Sequence, residues 1–191
     1  MKYPKYLGLL ILLCLASSSF GQFRVSPATI DMAEGGRVSV LTIFNGEERF
    51  TLRQPPGYTF RVDPHDKSVL FRSADERTAI SFQVTTNSPG QLPPEDILRA
   101  AAIEQTPGSA FLQSSVCATG YKAGCFVDLV RTSREKMSVR FRHVYVPCPE
   151  GMAEFVFATD NEDFDRQRFV LNAFLNSFRY ESSAGSALVQ Q

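Results

Sequence analysis

The hydrophobic positions near the C-terminus recur with the period of an α-helix. Over residues 162–178, apolar side chains three and four positions apart form one stripe, made of Val170, Leu171, Phe174, Leu175 and Phe178. Such a stripe is typical of a helix that covers a core with one face. The pattern therefore predicts an amphipathic helix over 162–178, after a turn at 147–152 and a short strand at 155–157.

A second pattern, the alternation of apolar and polar residues, occurs in the runs 37–44 and 47–53. These runs flank Asn45-Gly46, and this dipeptide between alternating runs is a strong hairpin signal. A two-residue turn there would place Leu41 opposite Phe50. The predicted inward face of the hairpin consists of Leu41, Ile43, Phe50 and Leu52.

Most of the remaining chain consists of short apolar runs around one mid-chain helix. The predicted strands are 23–32, 58–62, 69–72, 78–86, 111–118, 125–131 and 137–146. The helix is predicted over 94–105, with Pro94 in its first turn. Its expected inward residues are Ile97, Leu98, Ala101 and Ala102. Because short turns join most strands, we expect a largely antiparallel sheet with two helices, which is an α+β fold.

The N-terminal residues 1–21 have a positively charged start, a short apolar run and small residues near the end. This is the pattern of a secretory signal peptide, and we expect cleavage before Gln22. The rest of the chain is long enough for one domain. We expect that domain over 22–180, with 37–53 as its leading hairpin, and a flexible tail over 181–191. The protein is accordingly expected to be exported, to the periplasm or beyond the cell.

The charge balance and the motifs exclude several classes of function. Lys plus Arg and Asp plus Glu number 20 each, so no basic excess indicates a nucleic-acid partner. Neither glycine-rich phosphate-binding motif occurs, so no nucleotide cofactor is expected. The apolar run of the leader is too short for a membrane span, and no later run is longer. We therefore expect no cofactor, no nucleic-acid partner and no integral membrane span.

Three cysteines follow the leader, namely Cys117, Cys125 and Cys148. A three-residue hairpin loop at 120–122 would set Cys117 opposite Cys125, near the separation that a disulfide needs. An exported protein is free to form such a bond. The sequence therefore favours a Cys117–Cys125 disulfide with Cys148 as a buried thiol, and a Cys125–Cys148 bond or no bond are the alternatives.

Two residues are candidates for catalysis. His143 lies on the apolar face of its predicted strand, where it would be either a packed, hydrogen-bonded core residue or the general base of a small secreted hydrolase. Cys148 is the other candidate of that enzyme class. No nucleophile motif accompanies either residue. We therefore expect a core histidine and no catalytic residue.

A possible metal site is formed by Asp63, His65 and Asp66, which offer one imidazole and two carboxylates within four residues. Pro64 in the same run is typical of a solvated turn. We interpret the cluster as a turn and expect no bound metal.

A set of basic residues surrounds a predicted strand connection: Arg131, Arg134, Lys136, Arg140 and Arg142. Such a set would attract an acidic partner or phospholipid head groups. The alternative is the solvated face of a hairpin. The set is the candidate partner-facing surface of this sequence.

Two stretches resemble known families. Residues 25–45, VSPATIDMAEGGRVSVLTIFN, resemble the opening strands of immunoglobulin-like domains of the pilus-chaperone and major-sperm-protein kind. The longer stretch 49–180 resembles the PsbP-like family, which includes the photosystem extrinsic protein and the periplasmic DcrB proteins. The features that carry this second likeness are the motif Phe50-x-Leu52-x-x-Pro55-x-Gly57-Tyr58, the helix between two groups of strands, and the closing helix that ends in Leu175-Asn-Ser-Phe178.

The PsbP-like resemblance implies an α/β/α sandwich that binds and stabilises partner proteins without shared catalytic residues. The family often has Trp where Tyr58 stands, and this chain has no Trp. The expected function is an exported, non-catalytic binding or stabilising module for a protein or envelope component. The alternatives are the hydrolase using His143 or Cys148, and an immunoglobulin-like adhesin or chaperone, which requires a sandwich without a long C-terminal helix.

Overall fold

The structure is a computed structural model that describes residues 23–33, 36–85, 90–133 and 137–182. The predicted leader, the predicted start at Gln22 and the end of the chain after Ser182 lie outside these residues. The strands are β1 (Arg24–Asp31), β2 (Arg37–Asn45), β3 (Glu48–Arg53), β4 (Tyr58–Asp63), β5 (Ser68–Ser73), β6 (Thr78–Thr85), β7 (Ala110–Cys117), β8 (Gly124–Thr132), β9 (Ser138–Cys148), β10 (Gly151–Asp160) and β11 (Arg179–Ser182). The helices are α1 (Glu95–Gln105) and α2 (Phe164–Ser177), and a 3-10 turn, Asn161–Asp163, precedes α2.

The strands form two sheets. The larger sheet has seven strands in the order β4-β5-β6-β10-β9-β8-β7, and the smaller has four in the order β1-β2-β3-β11. Each of the described pairings is antiparallel. The α+β class and the antiparallel arrangement predicted from the sequence are confirmed, with strands contributing most of the structure.

The main core lies where the small sheet and α2 cover one face of the large sheet. Phenylalanine rings from all three layers meet there: the Phe50 ring lies 5.6 Å from that of Phe82, and Phe155 lies 5.2 Å from both Phe82 and Phe178, centroid to centroid. The stripe predicted for the C-terminal helix is buried at Leu171, Phe174, Leu175 and Phe178, and Val170 is half-buried. Since α2 is 14 residues long, the immunoglobulin-like alternative, which excludes such a helix, is wrong.

The other face of the large sheet is covered in part by α1. Leu98 and Ala102 are buried against a second cluster that includes Val127, Leu129 and Tyr145. Ile97 is 54% exposed, so its predicted inward orientation is wrong. Because α1 packs mainly on β7 and β8, near one edge of the sheet, it buries a narrower stripe than the sequence pattern suggested.

The β2–β3 hairpin has the predicted inward face but a different register. Leu41 pairs with Leu52 rather than with Phe50, and Asn45 pairs with Glu48. The turn residues are therefore Gly46 and Glu47, and Gly46 takes the left-handed φ of 68° that glycine tolerates best. Asn45 instead belongs to β2, where its side-chain amide donates a 3.2 Å hydrogen bond to the carboxylate of Glu48.

Two C-terminal strands differ from the prediction. The short strand expected at 155–157 is the ten-residue β10, which pairs with β6 and β9 at the centre of the large sheet. Its polar residues Glu154 and Thr159 are buried and interrupt the apolar run that would have indicated a long strand. Strand β11 pairs with β3 and includes Glu181 and Ser182, so the ordered domain continues past the predicted boundary at 180.

Candidate functional site

Two members of the predicted partner-facing basic set are internal. Arg142 Nε and Arg140 Nη2 each donate a hydrogen bond of 2.6 Å to the carboxylate of Asp128, which is fully buried on β8. Both guanidinium groups also lie over the ring of Phe164, at 3.9 Å for Arg140 and 5.1 Å for Arg142. Because the buried acid requires these cations, the orientation of Arg140 and Arg142 toward a partner is wrong.

Of the other three members of the basic set, only one lies in the part of the chain that the structure describes. Arg131 is exposed at the end of β8, with its guanidinium 5.1 Å from the ring centroid of Phe141. Arg134 and Lys136 lie outside the described residues. Only Arg131 therefore remains as an exposed cation of the predicted set in the described part of the chain.

Asp128 is ionised in this environment. Burial opposes its ionisation, but the hydrogen bonds from Arg142 and Gln113 outweigh burial and hold the pKa of Asp128 below its ordinary value. Asp128, its two arginines and Gln113 form an internal cluster that links β7, β8 and β9, in which Arg140 Nε has no hydrogen-bond partner among the described residues.

His143 belongs to a second buried network. Its Nε2 lies 2.9 Å from the hydroxyl of Thr106, and its Nδ1 lies 3.3 Å from Oε1 of Glu154. Gln83 and Gln105 donate to the other oxygen of Glu154, at 2.6 and 3.1 Å. Burial opposes the ionisation of Glu154, but these hydrogen bonds, that of His143 foremost, lower its pKa.

The order hydroxyl, imidazole, carboxylate is that of a nucleophile-activating triad. Here Thr106 is 5% exposed and His143 is 1% exposed, so a substrate would not reach either group without displacing α1. Two grooves, one beside Arg142 and one beside Phe169, are lined by neither His143 nor Thr106. The prediction of a packed, hydrogen-bonded core histidine is confirmed.

The cysteines differ from the predicted arrangement. Cys117 pairs with Gly124 and Cys125 with Val116, which places the two thiols on opposite faces of the sheet. The predicted register is wrong by one residue, and all three thiols are unbonded in the structure. Cys148 is fully buried, as predicted, and burial raises its pKa to about 12, so it is not poised as a nucleophile.

The turn at 63–66 is held by one carboxylate. Asp63 Oδ1 accepts hydrogen bonds from the backbone amides of His65, at 3.0 Å, and Asp66, at 3.2 Å. This is the solvated turn that Pro64 indicated.

A groove lies between the small sheet and α2. Its volume is about 590 Å³, within the range of ligand-binding pockets. One wall consists of the start of β2 and the Pro55-Pro56-Gly57 turn, and the other consists of Phe169, Val170, Ala173 and Phe174 of α2. Phe169 is 71% exposed at the rim, whereas Phe174 is buried and contributes the floor.

The charged side chains that line the groove are cationic. Arg37 and Arg53 line it on the sheet side. Arg37 is paired with Asp31 at 3.2 Å, with both side chains largely exposed. Among the described residues, no carboxylate lies within ion-pair distance of Arg53, whose backbone amide is fixed by the Ser177 hydroxyl at 3.0 Å. The groove therefore combines an apolar floor with an uncompensated positive charge at its rim.

The sequence prediction missed this groove. Phe169 was a usable signal, because it is a large apolar residue that falls off the stripe of α2. In the sequence, Pro55 and Gly57 have meaning only as part of the motif that carries the family resemblance. That the turn and α2 face each other depends on packing between elements more than 100 residues apart.

Comparison with known proteins shows the fold. No family model and no curated protein matches the sequence. A matching solved structure is cyanobacterial PsbP (CyanoP) from Synechocystis sp. PCC 6803, with 9% identity and a TM-score of 0.53 over 87% of this chain and 99% of that chain. The chain thus has a PsbP-like fold, as the resemblance implied.

Two further solved structures also match. A protein from Bacteroides thetaiotaomicron VPI-5482 has 7% identity and a TM-score of 0.49, over 71% of this chain and 46% of that one, so this chain spans less than half its length. LpqN, a protein involved in cell envelope biogenesis of Mycobacterium tuberculosis, has 11% identity and a TM-score of 0.40, over 82% and 91% of the two chains. Neither described helix of the present chain combines the length and apolar composition needed to cross a membrane.

Proposed function

We propose that the protein is an exported, non-catalytic accessory module, and that the groove between the small sheet and α2 binds an acidic, apolar segment of a partner protein. The observation that carries this proposal is the guanidinium of Arg53, which has no ion-pair partner among the residues that the structure describes, beside the exposed ring of Phe169 in one groove. Arginine and aromatic residues are the types most enriched in protein interfaces.

The charge of the groove supports an acidic occupant. A carboxylate placed at the Arg53 rim would form a bidentate pair with the guanidinium without breaking an existing ion pair of this residue. Arg37 would add to the attraction, since its pair with Asp31 is exposed and therefore weak. A basic segment would instead meet two cations of the same sign.

The surface of the groove supports an apolar neighbour for that carboxylate. Phe169, Val170 and Ala173 present adjacent apolar surface along α2, and Pro56 is exposed on the facing wall. Covering an exposed Phe contributes binding free energy through the hydrophobic effect. By contrast, the hydrolase alternative has little support, because its two candidate residues, His143 and Cys148, are buried.

The test is photo-cross-linking in the producing cells, with a benzophenone amino acid in place of Phe169. We expect an adduct with one protein whose cross-linked peptide contains Asp or Glu next to apolar residues. Arg53→Glu should lower the adduct yield at least about tenfold, a loss of about 1.4 kcal/mol. Replacing the partner's acidic residue with Lys should restore the adduct with the Arg53→Glu variant.

A benzophenone in place of Asp165, whose side chain is 82% exposed on α2 outside the groove, serves as the control and should give no such adduct. An adduct with lipid alone would contradict the proposed occupant. A protein adduct that is indifferent to Arg53→Glu would contradict the role of the groove.

A further inference from the structure

Among the described strands, four lie at the edges of the two sheets: β1 and β11 in the small sheet, and β4 and β7 in the large one. Natural proteins block such edges with charged residues or proline, because an open strand pairs with other chains. Three of the four edges carry these residues: Arg24, Pro27 and Asp31 in β1, Arg61 and Asp63 in β4, and Arg179 and Glu181 in β11. Strand β7, with the sequence AFLQSSVC, has neither a charge nor a proline.

The absence of charge extends beyond β7. Residues 106–121 contain no Asp, Glu, Lys or Arg, although these types make up 21% of the chain. The edge also exposes apolar side chains: Phe111, Leu112 and Val116 on β7, and Ile97 and Ile103 on the neighbouring α1. A concentration of exposed apolar residues of this kind marks an interaction surface.

Two charged side chains of α1 reach β7, and both interact with residues of β7. Glu95 accepts a hydrogen bond from the hydroxyl of Ser114, and the Arg99 guanidinium lies 5.4 Å from the ring centroid of Phe111. Both lie on the face of β7 that packs under α1. They therefore cover a face of the strand and leave its hydrogen-bonding edge open.

We propose that β7 is a dimerisation edge, on which β7 of a second copy of this chain pairs to make one continuous sheet. A two-fold axis necessarily sets β7 antiparallel to its copy, and this continues the antiparallel order of the large sheet. The edge is also complementary to itself in charge, because an uncharged strand places no like charges opposite each other.

The register shift in β7 indicates where the proposed two-fold axis would pass. The pairing with β8 shifts register between Phe111 and Gln113, which leaves 113–117 as the regular part of the strand. A bulge limits pairing where it occurs. The midpoint of the regular part is Ser115, so the two-fold axis passes near Ser115, with Ser114 opposite Val116 of the copy.

Sedimentation velocity of the purified protein over a concentration series tests this inference. We expect a reversible dimer with a Kd in the micromolar range, about 1–100 μM. Val116→Lys should weaken dimerisation at least tenfold, since Lys on an edge blocks strand pairing. The matched control is Met137→Lys, because Met137 is 64% exposed, Val116 is 72% exposed, and Met137 lies outside both β7 and the groove; this variant should dimerise as the unmodified protein does.

Hydrogen exchange distinguishes edge pairing from association elsewhere. Amides within 113–117 should exchange more slowly at high protein concentration than at low concentration, and Val116→Lys should remove the difference. A protein that stays monomeric through the series would overturn the inference. So would a dimer that survives Val116→Lys, or one that forms without protecting these amides.

Discussion

Asp128 and Arg142 face each other across β8 and β9 and are joined by two hydrogen bonds, of 2.6 and 2.8 Å, in the interior of the protein. The planar guanidinium matches the two carboxylate oxygens, and its outer face lies 4.0 Å from the ring centroid of Phe126. The buried carboxylate of Asp128 therefore explains why β9, whose alternate residues are apolar, contains the two arginines Arg140 and Arg142.

Removal of this carboxylate should be strongly destabilising. We expect Asp128→Asn to lower the free energy of unfolding by about 3–5 kcal/mol, because it leaves buried cations without their counter-charge. Urea unfolding monitored by circular dichroism measures the change. Asp165→Asn breaks an exposed 3.8 Å pair with Arg168 and should cost less than about 1 kcal/mol. Similar losses in the two variants would show that the burial of the Asp128 pair is not what stabilises it.

The packing of α2 leads to a second prediction. Phe174 is buried with its ring 5.0 Å from that of Phe71 and 5.9 Å from that of Phe155. Phe174→Ala should cost about 3–5 kcal/mol and lower Tm by about 6–20 °C. Asn172→Ala, at an exposed position of the same helix, should change Tm little. Calorimetry compares the two, and equal effects would mean that the buried stripe of α2 is misassigned.

The elements that the sequence predicted well depend on residues a few positions apart. The alternation of Ile80, Phe82 and Val84 places these three side chains inward in β6, and the stripe of α2 is buried as its spacing indicated. Local periodicity suffices for such features, because a strand repeats every two residues and a helix every 3.6.

The features that the sequence missed depend on pairing between distant segments. The register of Cys117 is set by how β7 meets β8, and the groove at Phe169 by how α2 meets the β3–β4 turn. A signal for the internal ion pairs was nevertheless present. Asp128 and Glu154 are single acids within apolar runs, and an acid in a buried strand requires a cation or a hydrogen-bond donor on a neighbouring strand.

Two buried carboxylates should make the fold sensitive to acid. The pKa values of Asp128 and Glu154 are below their ordinary values despite burial, so the folded state holds these protons less tightly than the unfolded state. Their contribution to stability is complete above the unfolded pKa values of about 4 and is lost as pH falls below them. Unfolding free energy from urea titrations at several pH values should accordingly fall steeply below about pH 4.

The ionisation of Glu48 should change the free energy of unfolding with pH in the opposite direction. Burial raises the pKa of Glu48, the charge of Glu150 adds to this effect, and the hydrogen bond from Asn45 only partly offsets it. A raised pKa in the folded state favours folding below the unfolded pKa of about 4.3, and that contribution is lost as pH rises through the folded value.

Glu48→Gln removes this ionisation and keeps an oxygen to accept from Asn45. We expect it to be more stable than the unmodified protein at pH 7 and to show no gain at pH 4. Urea unfolding at the two pH values provides the measurement. A gain that is the same at both would show that packing, and not ionisation, distinguishes Gln from Glu at this position.

The thiols should differ in reactivity according to their burial. Burial, as the main cause, raises the pKa of Cys117 to about 11 and the pKa of Cys148 to about 12. At pH 8 the thiolate fraction would be about 10⁻³ for Cys117 and about 10⁻⁴ for Cys148. Because Cys148 is also fully buried, we expect iodoacetamide to modify Cys125 first, Cys117 more slowly and Cys148 only after unfolding.

Peptide mass spectrometry at successive times gives the order of modification, and the same reaction in concentrated urea is the control, since unfolding should make the three rates similar. Early modification of Cys148 would contradict its burial beneath the small sheet. A linked Cys117–Cys125 peptide from unreduced protein would contradict the observed register, because the pairing of Cys117 with Gly124 directs the two sulfur atoms to opposite faces of the sheet. Two reactive thiols and one protected thiol are the result that this register and this core require.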